Sequence, residues 1–323
     1  GVATLQESLE LREALELRGT GATLLAWLWH PDEGLELEAA VASGVQLGIP
    51  SEEHLEAGIA AGRRARVVPK ITVMADTGLN RSGIQVLGGA FRRAMPALAD
   101  AHARGEAQVT GVFSHLACAD EPGHESIDMQ AGRFREAAEL LAEAGVGKQL
   151  NHLANSPAAL TRPDLAFDMV RPGLAVYGLE PVSGRDHGLH AAMRWEARIP
   201  LVKPLRKGEA VSYGRTWTAD RDTTIALIPC GYADGMLRSA SGKFEVAING
   251  VRYPQVGRVC MDQFVVDLGP DAPVRAGDVA VIVGNRPGEP TADELAAAAG
   301  TINYEILTAP RGRTRRRHIG GEC

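Results

Sequence analysis

Two polar segments near the middle of the sequence carry side chains that can hold a phosphate group. In the first, Ser156-Pro157 follows an apolar run and predicts the start of a helix, because serine caps the first N–H groups and proline lacks a donor that would go unpaired there. The N-terminus of a helix favours anions. In the second, Arg171 and Gly173 end the next predicted strand. Together the segments predict a cradle for a phosphate-bearing cofactor, although a capped helix beside a surface arginine explains them equally well.

The segment Asp76-Thr-Gly-Leu-Asn-Arg81 places a carboxylate, a flexible turn and a guanidinium in one predicted loop. An arginine in such a loop can hold a carboxylate or a phenolate oxygen through two hydrogen bonds. In the purely structural alternative, Asp76 caps the loop and Arg81 pairs with it. We favour the binding role, because the loop lies at the end of a predicted strand, as the phosphate-binding segments do.

Two histidines, His115 and His152, occupy equivalent places after successive predicted strands. A single histidine at a strand end is more often a hydrogen-bonded core residue than a catalyst. Two of them on neighbouring strands favour stacking or hydrogen bonding towards a cofactor. No carboxylate lies at a metal-ligand spacing from either histidine, so no metal site is predicted.

Three tyrosines of the later part of the chain lie in segments that could carry chemistry. Tyr213, in Val-Ser-Tyr-Gly, and Tyr232, in Gly-Tyr-Ala-Asp-Gly, lie in predicted turns or loops, and Tyr304, in Ile-Asn-Tyr-Glu, follows the last predicted helix. Tyrosine acts as an acid or base when nearby cations lower its pKa. Met261, in Gly-Arg-Val-Cys-Met-Asp-Gln, precedes a strand and offers backbone N–H groups. Each of these segments alone is also explained by ordinary packing.

Composition and charge disfavour several classes of protein. The chain has 323 residues, of which 45% are apolar and 5% aromatic, and this length suits two domains. A net charge of −6 and a pI near 5.9 argue against a nucleic-acid surface. No apolar run reaches membrane-spanning length. Without a CxxC spacing, neither a zinc site nor a disulfide framework is predicted, and a reducing cytoplasm is expected. The cysteines are Cys118, Cys230, Cys260 and Cys323.

Up to about residue 180, short apolar runs alternate with helical patterns, which predicts a parallel sheet with right-handed crossovers. Seven strands are predicted, at 1–4, 23–29, 45–49, 67–75, 109–114, 148–155 and 168–177. Helices are predicted at 6–18, 33–42, 51–64, 84–103 and 125–144. A TIM-type (β/α)8 barrel has eight strand-helix units, and seven are predicted here, the first of which starts partway along a strand pattern. The sequence therefore predicts such a barrel without its first βα unit. The polar segments follow strand ends, which is the face where barrels keep their chemistry. A doubly wound sheet is the alternative, disfavoured because no GxGxxG follows the first strand.

A segment with Pro181, Gly184 and Gly188 separates the two predicted domains, a cofactor-binding barrel at 1–183 and a mostly-β C-terminal domain at 190–323. Strands of the second domain are predicted at 198–202, 210–213, 223–228, 243–246, 264–268 and 279–283. One helix is predicted at 291–298, where Thr291 and Glu294 have the spacing of a capping box.

As an ordered set, the motifs of this chain resemble those of bacterial alanine racemases, the fold-type III family of enzymes that use pyridoxal 5'-phosphate, and most closely the actinobacterial kind. The resemblance covers residues 1 to about 318. It rests on TGLNRSG, SHLACADEPGH, HLANS, VRPGLAVYG, VSYG, GYADG, GRVCMDQ and TINYE. It implies interconversion of L- and D-alanine by two-base proton transfer at Cα, with D-alanine serving as a cell-wall precursor. It also implies a cytoplasmic homodimer with shared active sites.

The resemblance assigns a role to each matching residue. Tyr213, lent by the partner subunit, is the catalytic base that acts on the L-amino acid. The substrate is held by Arg81, which also supports Tyr213, and by the backbone N–H of Met261. Arg171 faces the pyridine nitrogen, and Tyr232 lines the entrance. The remaining cofactor-binding residues are His115, His152, Asn155, Ser156, Gly173, Leu174 and Tyr304.

Two departures from the family pattern concern lysines. The family's Schiff-base lysine lies in a strand that corresponds to sequence ahead of residue 1, roughly sixty to seventy residues in all judged from one βα unit and its lead-in. Met74 replaces a lysine, often carbamylated, that orients the arginine matching Arg81. Lys70, on the same face of the strand, should lie about 13 Å away from Met74, too far to substitute for the lysine.

Alternatives to the racemase are a degenerate paralogue that binds pyridoxal phosphate or a partner without turnover, a racemase of another amino acid, and a decarboxylase, which Arg171 disfavours.

Overall fold

The computed structural model describes residues 1–147 and 149–320. Two residues named above lie outside the described residues. They are Lys148, at the start of the sixth predicted strand, and Cys323, the last cysteine of the sequence. The chain divides into two compact units. The first comprises Gly1–Gly173 and Glu180–His187, and the second comprises Leu174–Leu179 and Gly188–Cys323.

The first unit alternates strands and helices. Its strands are β1 (Leu25–Ala26), β2 (Gln46–Ile49), β3 (Lys70–Asp76), β4 (Ile84–Gln85) and β5 (Gln108–Phe113). Its helices are α1 (Leu5–Leu17), α2 (Gly34–Ala42), α3 (Glu52–Ala65), α4 (Ala90–Ala103), α5 (Ser126–Glu143) and α6 (Ser156–Thr161). All strand pairs are parallel, with β1 beside β2, β2 beside β3, and β3 beside both β5 and the short β4. Apart from β4, the strands follow one another in chain order, as in a barrel and unlike a doubly wound sheet.

Four predicted strands of the first unit are much shorter or absent. The prediction at 23–29 is reduced to the two residues of β1. The first is a single bridge between Val2 and Ala26, and the sixth is a single bridge between Phe113 and His152. The predicted strand at 168–177 is wrong, since no strand forms there and residues 174–177 make one turn of 3-10 helix. Pro172 has no N–H to donate to a ladder. The segment keeps two backbone hydrogen bonds to the 151–154 segment, from the N–H groups of Asp168 and Arg171.

The predicted helix at 84–103 begins later than expected. Residues 84–85 form β4, and α4 starts only at Ala90. Gly88 and Gly89 adopt left-handed backbone angles, with φ of 83° and 76°. An α-helix cannot pass through such residues, so the helix begins after them.

The side chains between the parallel sheet and its helices form one apolar core. Its largest fully buried members include Phe91 on α4, Phe134 on α5, and Leu47 and Ile71 on β2 and β3. Burying side chains of this size is the main favourable contribution to folding, about 1.5–3 kcal/mol for each. This core fixes the strand ends from which the polar loops emerge.

The second unit is built on antiparallel strands, with two helices near its end. Its elements are β6 (Trp195–Arg198), β7 (Leu201–Leu205), β8 (Ala210–Val211), β9 (Trp217–Thr218), β10 (Thr223–Ile228), β11 (Glu245–Ile248), β12 (Val251–Val256), β13 (Phe264–Gly269), β14 (Val279–Val283), α7 (Ala292–Ala299) and α8 (Asn303–Thr308). Seven strands form one sheet in the order β6-β14-β11-β12-β13-β10-β7, and β8 pairs with β9.

Sequence patterns missed β9, β12 and α8 but predicted α7 correctly, and the single strand predicted at 198–202 straddles β6 and β7. Thr291 caps α7 and forms the expected capping box with Glu294. In β12, Pro254 interrupts the alternating pattern that marks a strand. Pro254 faces Glu245 of β11, and pairing with β13 begins only at Gln255. Among the described residues, no helix is both long and apolar enough to cross a membrane.

Candidate active site

Arg171 is fixed at the strand ends of the first unit by four hydrogen bonds from its two terminal nitrogens. Nη1 donates to Nδ1 of His152 at 2.8 Å and to the carbonyl oxygen of His152 at 2.7 Å. Nη2 donates to the carbonyl oxygens of Leu153 and Ser114. These bonds use all four N–H bonds of the two terminal nitrogens. The remaining donor, Nε–H, makes no hydrogen bond to a described residue.

Protonation of this cluster follows from burial. Burial lowers the pKa of Arg171 to about 10, which still leaves the guanidinium charged at neutral pH. Burial and the neighbouring charge of Arg171 lower the pKa of His152 to about 3, so its imidazole is neutral. Because Arg171 can only donate, Nδ1 of His152 is the acceptor and its proton lies on Nε2. The ring of Phe113 stacks on that imidazole with centroids 5.3 Å apart.

His115 is a second neutral imidazole of this region. Burial, followed by the charges of Arg171 and Arg81, lowers its pKa to about 4. Arg171 therefore lies close enough to both His115 and His152 for its charge to lower the pKa of each imidazole. Neutral imidazoles can donate or accept single hydrogen bonds but do not exchange protons readily near pH 7.

The two segments predicted to hold phosphate meet at Ser156. Its Oγ accepts a hydrogen bond from the backbone N–H of Gly173 at 2.9 Å. The predicted helix cap, however, was wrong by one residue. Asn155 has the extended backbone of an N-cap, and its Oδ1 accepts from the N–H of Ala158, so α6 begins at Ser156. A Cβ at Gly173 would meet no described atom within 4 Å, which leaves open space beside its Cα.

The loop that follows β3 is held by Asp76, as the structural alternative expected. Its Oδ1 accepts from the backbone N–H groups of Gly78 and Asn80, both at 3.0 Å. Arg81, by contrast, does not pair with Asp76. Its side chain is exposed and makes no ion pair with any residue that the structure describes. The loop therefore presents a cation without a carboxylate partner.

Met74 lies in a small apolar cluster rather than a polar one. It is 7% exposed and packs with Leu25 and Phe113, against Trp27. Lys70 stands exposed at the opposite end of β3. Among the described residues, none of the side chains that pack in this cluster is basic. The cluster adjoins the cationic part of the site through Phe113, whose ring centroid lies 5.7 Å from the guanidinium carbon of Arg171.

In the second unit, Tyr213 lies in a loop whose backbone is locked while its ring remains exposed. The residues on either side, Ser212 and Gly214, have positive φ of 65° and 72°. Ser212 keeps this uncommon angle because its Oγ donates to the carbonyl oxygen of Arg258 at 2.7 Å. The ring of Tyr213 is 72% exposed. This arrangement projects a phenol from a rigid support.

Tyr232 and Met261 are brought together by backbone contacts between their loops. The N–H of Tyr232 donates to the carbonyl oxygen of Cys260 at 3.1 Å, and the N–H of Ala233 donates to that of Met261 at 2.9 Å. A Cβ at Gly231 would lie 2.2 Å from the carbonyl oxygen of Met261, so only glycine permits this approach.

Asp234 anchors the same loops. It is 3% exposed. Its two oxygens accept from Nε and Nη2 of Arg313, each at 2.9 Å, and Oδ2 also accepts from the N–H of Gly231. Burial alone would raise the pKa of this carboxyl, but the hydrogen bonds from Arg313 and Gly231 outweigh it and lower the pKa. Sequence analysis did not select this pair, although Asp234 stands inside the GYADG motif.

The residues assigned to the phosphate fall in both units. Ser156 and Gly173 belong to the first, whereas Leu174 and Tyr304 belong to the second. Leu174 is buried in the apolar core of the second unit, and Tyr304 lies in the first turn of α8 and is partly exposed. Among the described residues, no group of three histidine, cysteine or acidic side chains could hold a metal ion.

Comparison with known proteins identifies the class to which this fold and site belong. Residues 1–181 match the family model described as alanine racemase, N-terminal domain, and residues 192–318 match the alanine racemase C-terminal domain. The chain therefore belongs to the alanine racemase family. The predicted family and the predicted fold, a TIM-type barrel followed by a β-rich domain, are confirmed.

Individual relatives match along nearly the whole chain. An alanine racemase of Mycolicibacterium vanbaalenii is 50% identical over 330 residues, which cover 100% of this chain and 81% of that protein. One of Corynebacterium efficiens is 48% identical, with 99% of this chain and 84% of the relative covered. The solved alanine racemase from Streptomyces coelicolor A3(2) superposes with a TM-score of 0.93 at 41% identity, and covers 99% of this chain and 84% of that one.

Proposed function

We propose that this protein is an alanine racemase, an isomerase that interconverts L- and D-alanine. The observation that carries the proposal is the identity of about half of all residues, over essentially the whole chain, with curated alanine racemases of actinobacteria. The predicted alternatives, a paralogue without turnover and a racemase of another amino acid, gain no support from these relatives. The product, D-alanine, would serve as a cell-wall precursor.

The first unit has a donor set that fits pyridoxal 5'-phosphate. The backbone N–H of Gly173 and the hydroxyl of Ser156 are groups that bind phosphate, and open space lies beside the Cα of Gly173. A phosphate-binding role for Leu174 and Tyr304 remains a prediction from the family resemblance. Asn155 holds the helix start on which Ser156 stands. When bound, pyridoxal phosphate withdraws electrons from Cα of the amino acid and so acidifies its Cα–H.

Arg171 would face the pyridine nitrogen through its Nε–H, the one donor not committed to a described residue. A guanidinium with a pKa of about 10 does not hand over its proton at neutral pH, so it would donate a hydrogen bond and would leave the ring nitrogen unprotonated. This limits electron withdrawal and favours proton exchange at Cα over deeper carbanion chemistry. His152, locked as the neutral tautomer, and His115 would lie beside the cofactor without adding charge.

Tyr213, lent by a partner subunit, would move the proton on one face of Cα. Arg81, a cation without a carboxylate partner, would hold the substrate carboxylate or support the phenol of Tyr213, and the N–H of Met261 would bind the same carboxylate. Tyr232, tied to Met261 by its loop, would line the entrance. Inversion takes a second base on the opposite face, for which the family's lysine is the expected group.

The assembly implied is a homodimer with shared active sites that acts on a small amino acid. The ring of Tyr213 is exposed, and the neighbouring Ser212 is held by a hydrogen bond to Arg258. This feature of the chain supports the proposal that Tyr213 contributes to the active site of a partner subunit. The cytoplasm as the site of action remains the prediction drawn from the cysteines.

The test is racemisation by the purified full-length protein supplied with pyridoxal 5'-phosphate. We expect L-alanine to yield D-alanine until the two are equal, as measured by chiral chromatography, and expect the protein to retain a visible absorption band of bound cofactor after gel filtration. A protein that retains this band but produces no D-alanine would contradict the racemase and favour the paralogue without turnover. Faster inversion of another amino acid would contradict the substrate.

A further inference from the structure

Helix α5 contains one polar residue on an otherwise apolar buried face. The buried residues of this helix are Ile127, Gln130, Ala131, Phe134, Ala137, Leu140 and Leu141. Gln130 is 0% exposed. An amide buried among apolar side chains destabilises the fold unless its donors and acceptor are satisfied. The hydrogen bonds of this residue therefore indicate why glutamine is tolerated there.

Gln130 makes three hydrogen bonds, and they determine the orientation of its amide. Nε2 donates to the carbonyl oxygen of His115 at 3.0 Å and to Oγ1 of Thr77 at 3.2 Å. Oε1 accepts from the backbone N–H of Ala117 at 2.9 Å. A carbonyl oxygen can only accept and a backbone N–H can only donate, so the reverse orientation would break both backbone contacts. Both N–H bonds of the amide are used.

The partners of Gln130 belong to two different loops. Thr77 begins the loop after β3 that carries Arg81, whereas His115 and Ala117 belong to the loop after β5. The same helix holds the first loop a second time, since Nη1 of Arg133 donates to the carbonyl oxygen of Thr77 at 3.0 Å. One buried side chain thus connects the supports of both a predicted substrate-binding arginine and a predicted cofactor-binding histidine.

The connection continues to Arg171 through two hydroxyl-bearing residues. Oγ1 of Thr77 and Oγ of Ser114 are hydrogen-bonded at 2.8 Å in the interior. The carbonyl oxygen of Ser114 accepts from Nη2 of Arg171. A continuous path therefore runs from Gln130 through Thr77 and Ser114 to the guanidinium. Such buried networks, when fully satisfied, hold their members in one arrangement.

We propose that Gln130 is a positioning residue of the active site, which holds the loops of Arg81 and His115 in a fixed relation to each other and to Arg171. It touches neither substrate nor cofactor in this account, and acts only through Thr77, His115 and Ala117. The inference rests on the proposed racemase for its effect on turnover, but not for its effect on the loops.

The experiment compares Gln130→Met with Phe134→Leu in the full-length enzyme. Methionine keeps the length of the side chain and removes all three hydrogen bonds, whereas Phe134→Leu disturbs the same buried face of α5 one turn away. The ring of Phe134 contacts that of Phe167 and has no group that could hydrogen-bond either loop. Kinetics with L-alanine and amide hydrogen–deuterium exchange of the segments 76–81 and 114–117 are measured for both. Thr77→Val, which removes one hydroxyl of the network, serves as a second variant if Gln130→Met does not fold.

We expect Gln130→Met to speed exchange in both segments and to lower kcat/KM on the order of 10- to 100-fold, the effect typical of misplaced groups in an active site. Phe134→Leu should lower the thermal midpoint while leaving kcat/KM and exchange in both segments unchanged. Unchanged exchange in the loops of Gln130→Met, or a kcat/KM equal to that of Phe134→Leu, would overturn the proposal. If the wild type proves not to racemise alanine, the proposed function fails, while the exchange rates still decide whether Gln130 holds the loops.

Discussion

Arg171 donates from a single nitrogen, Nη1, to both the ring Nδ1 and the carbonyl oxygen of His152, at 2.8 and 2.7 Å. This contact sets the tautomer of the histidine and the direction of the guanidinium together, since neither can turn without breaking a bond to the other. A charged donor against a neutral imidazole therefore holds the two side chains as one unit.

Replacing Arg171 with glutamine should destabilise the first unit. Glutamine cannot reach the four acceptors that Arg171 serves, and a buried acceptor left unsatisfied costs about 1–3 kcal/mol. We expect the free energy of unfolding in urea to fall by about 3 kcal/mol. The matched control is Arg162→Gln, which removes a surface arginine paired with Asp128 and Asp164 and should cost under about 1 kcal/mol. Equal losses in the two variants would contradict the anchoring role of Arg171.

The lowered pKa values of the two histidines predict a loss of stability on mild acidification. The pKa of His152 lies near 3 and that of His115 near 4 in the folded state, against 6.5 for an ordinary histidine. Below pH 6.5 the unfolded chain binds protons that the folded chain does not, so the free energy of unfolding falls as the pH falls from 6.5 towards 4. The slope is at most about 1.4 kcal/mol per pH unit for each histidine.

Urea unfolding at a series of pH values between 7 and about 5 measures this slope, since most carboxyl groups titrate below that window. His115→Asn should reduce the slope, because it removes one of the two groups responsible. His30→Asn, which changes an exposed histidine of the same unit, should leave it unchanged. A slope that persists in full in His115→Asn would show that its imidazole is protonated in the folded state.

Removing the hydroxyl of Tyr213 should reduce racemisation without affecting stability. The ring is 72% exposed and its hydroxyl makes no hydrogen bond to a described residue, so Tyr213→Phe should leave the thermal midpoint unchanged. Loss of a general acid or base lowers turnover about 10²- to 10⁴-fold. Tyr253→Phe removes a hydroxyl from a buried tyrosine of β12 and should keep full activity. Normal conversion of L- to D-alanine by Tyr213→Phe would remove this residue from the mechanism.

Asp234→Asn should loosen the loops of Tyr232 and Met261. An amide cannot accept both hydrogen bonds from Arg313, and the buried donor of Gly231 would face an NH2 group in one orientation, for a loss of about 1–3 kcal/mol. Amide exchange across 231–234 and the KM for alanine should both rise. Asp262→Asn, which removes the more exposed partner of the same arginine, should change stability by under about 1 kcal/mol. Equal effects of the two substitutions would argue against an anchoring role for Asp234.

The alternation of elements and most of the helices could be read from the sequence because their patterns are local. The helix from residue 125 and the capping box at Thr291 are examples, since periodicity and capping chemistry specify them within a few residues. A strand was predicted at 168–177 because the segment is largely apolar. No strand forms there, since Pro172 lacks the N–H that a strand would donate. Asn155 rather than Ser156 caps α6 because Asn155 keeps an extended backbone and its side chain reaches the N–H of Ala158.

The candidate site was harder to predict wherever it depends on contacts between distant segments. Ordered motifs predicted roles for Arg171, His152 and Tyr213, but nothing local indicates that four N–H bonds of Arg171 are committed to backbone and imidazole. Gln130 could have been noticed as the polar residue in the stripe Ile127, Ala131 and Phe134, although only the structure shows which loops it holds. The bond between Asp234 and Arg313 likewise joins residues far apart in the chain.

The most direct test of the account is the fate of the Cα proton when the full-length enzyme, loaded with pyridoxal 5'-phosphate, acts on L-alanine in heavy water. Proton NMR follows loss of the Cα–H signal, and chiral chromatography follows the appearance of D-alanine. We expect equal amounts of the two enantiomers, both deuterated at Cα, with no loss of carbon dioxide or ammonia. Alanine that stays in the L form with its proton at Cα would contradict it.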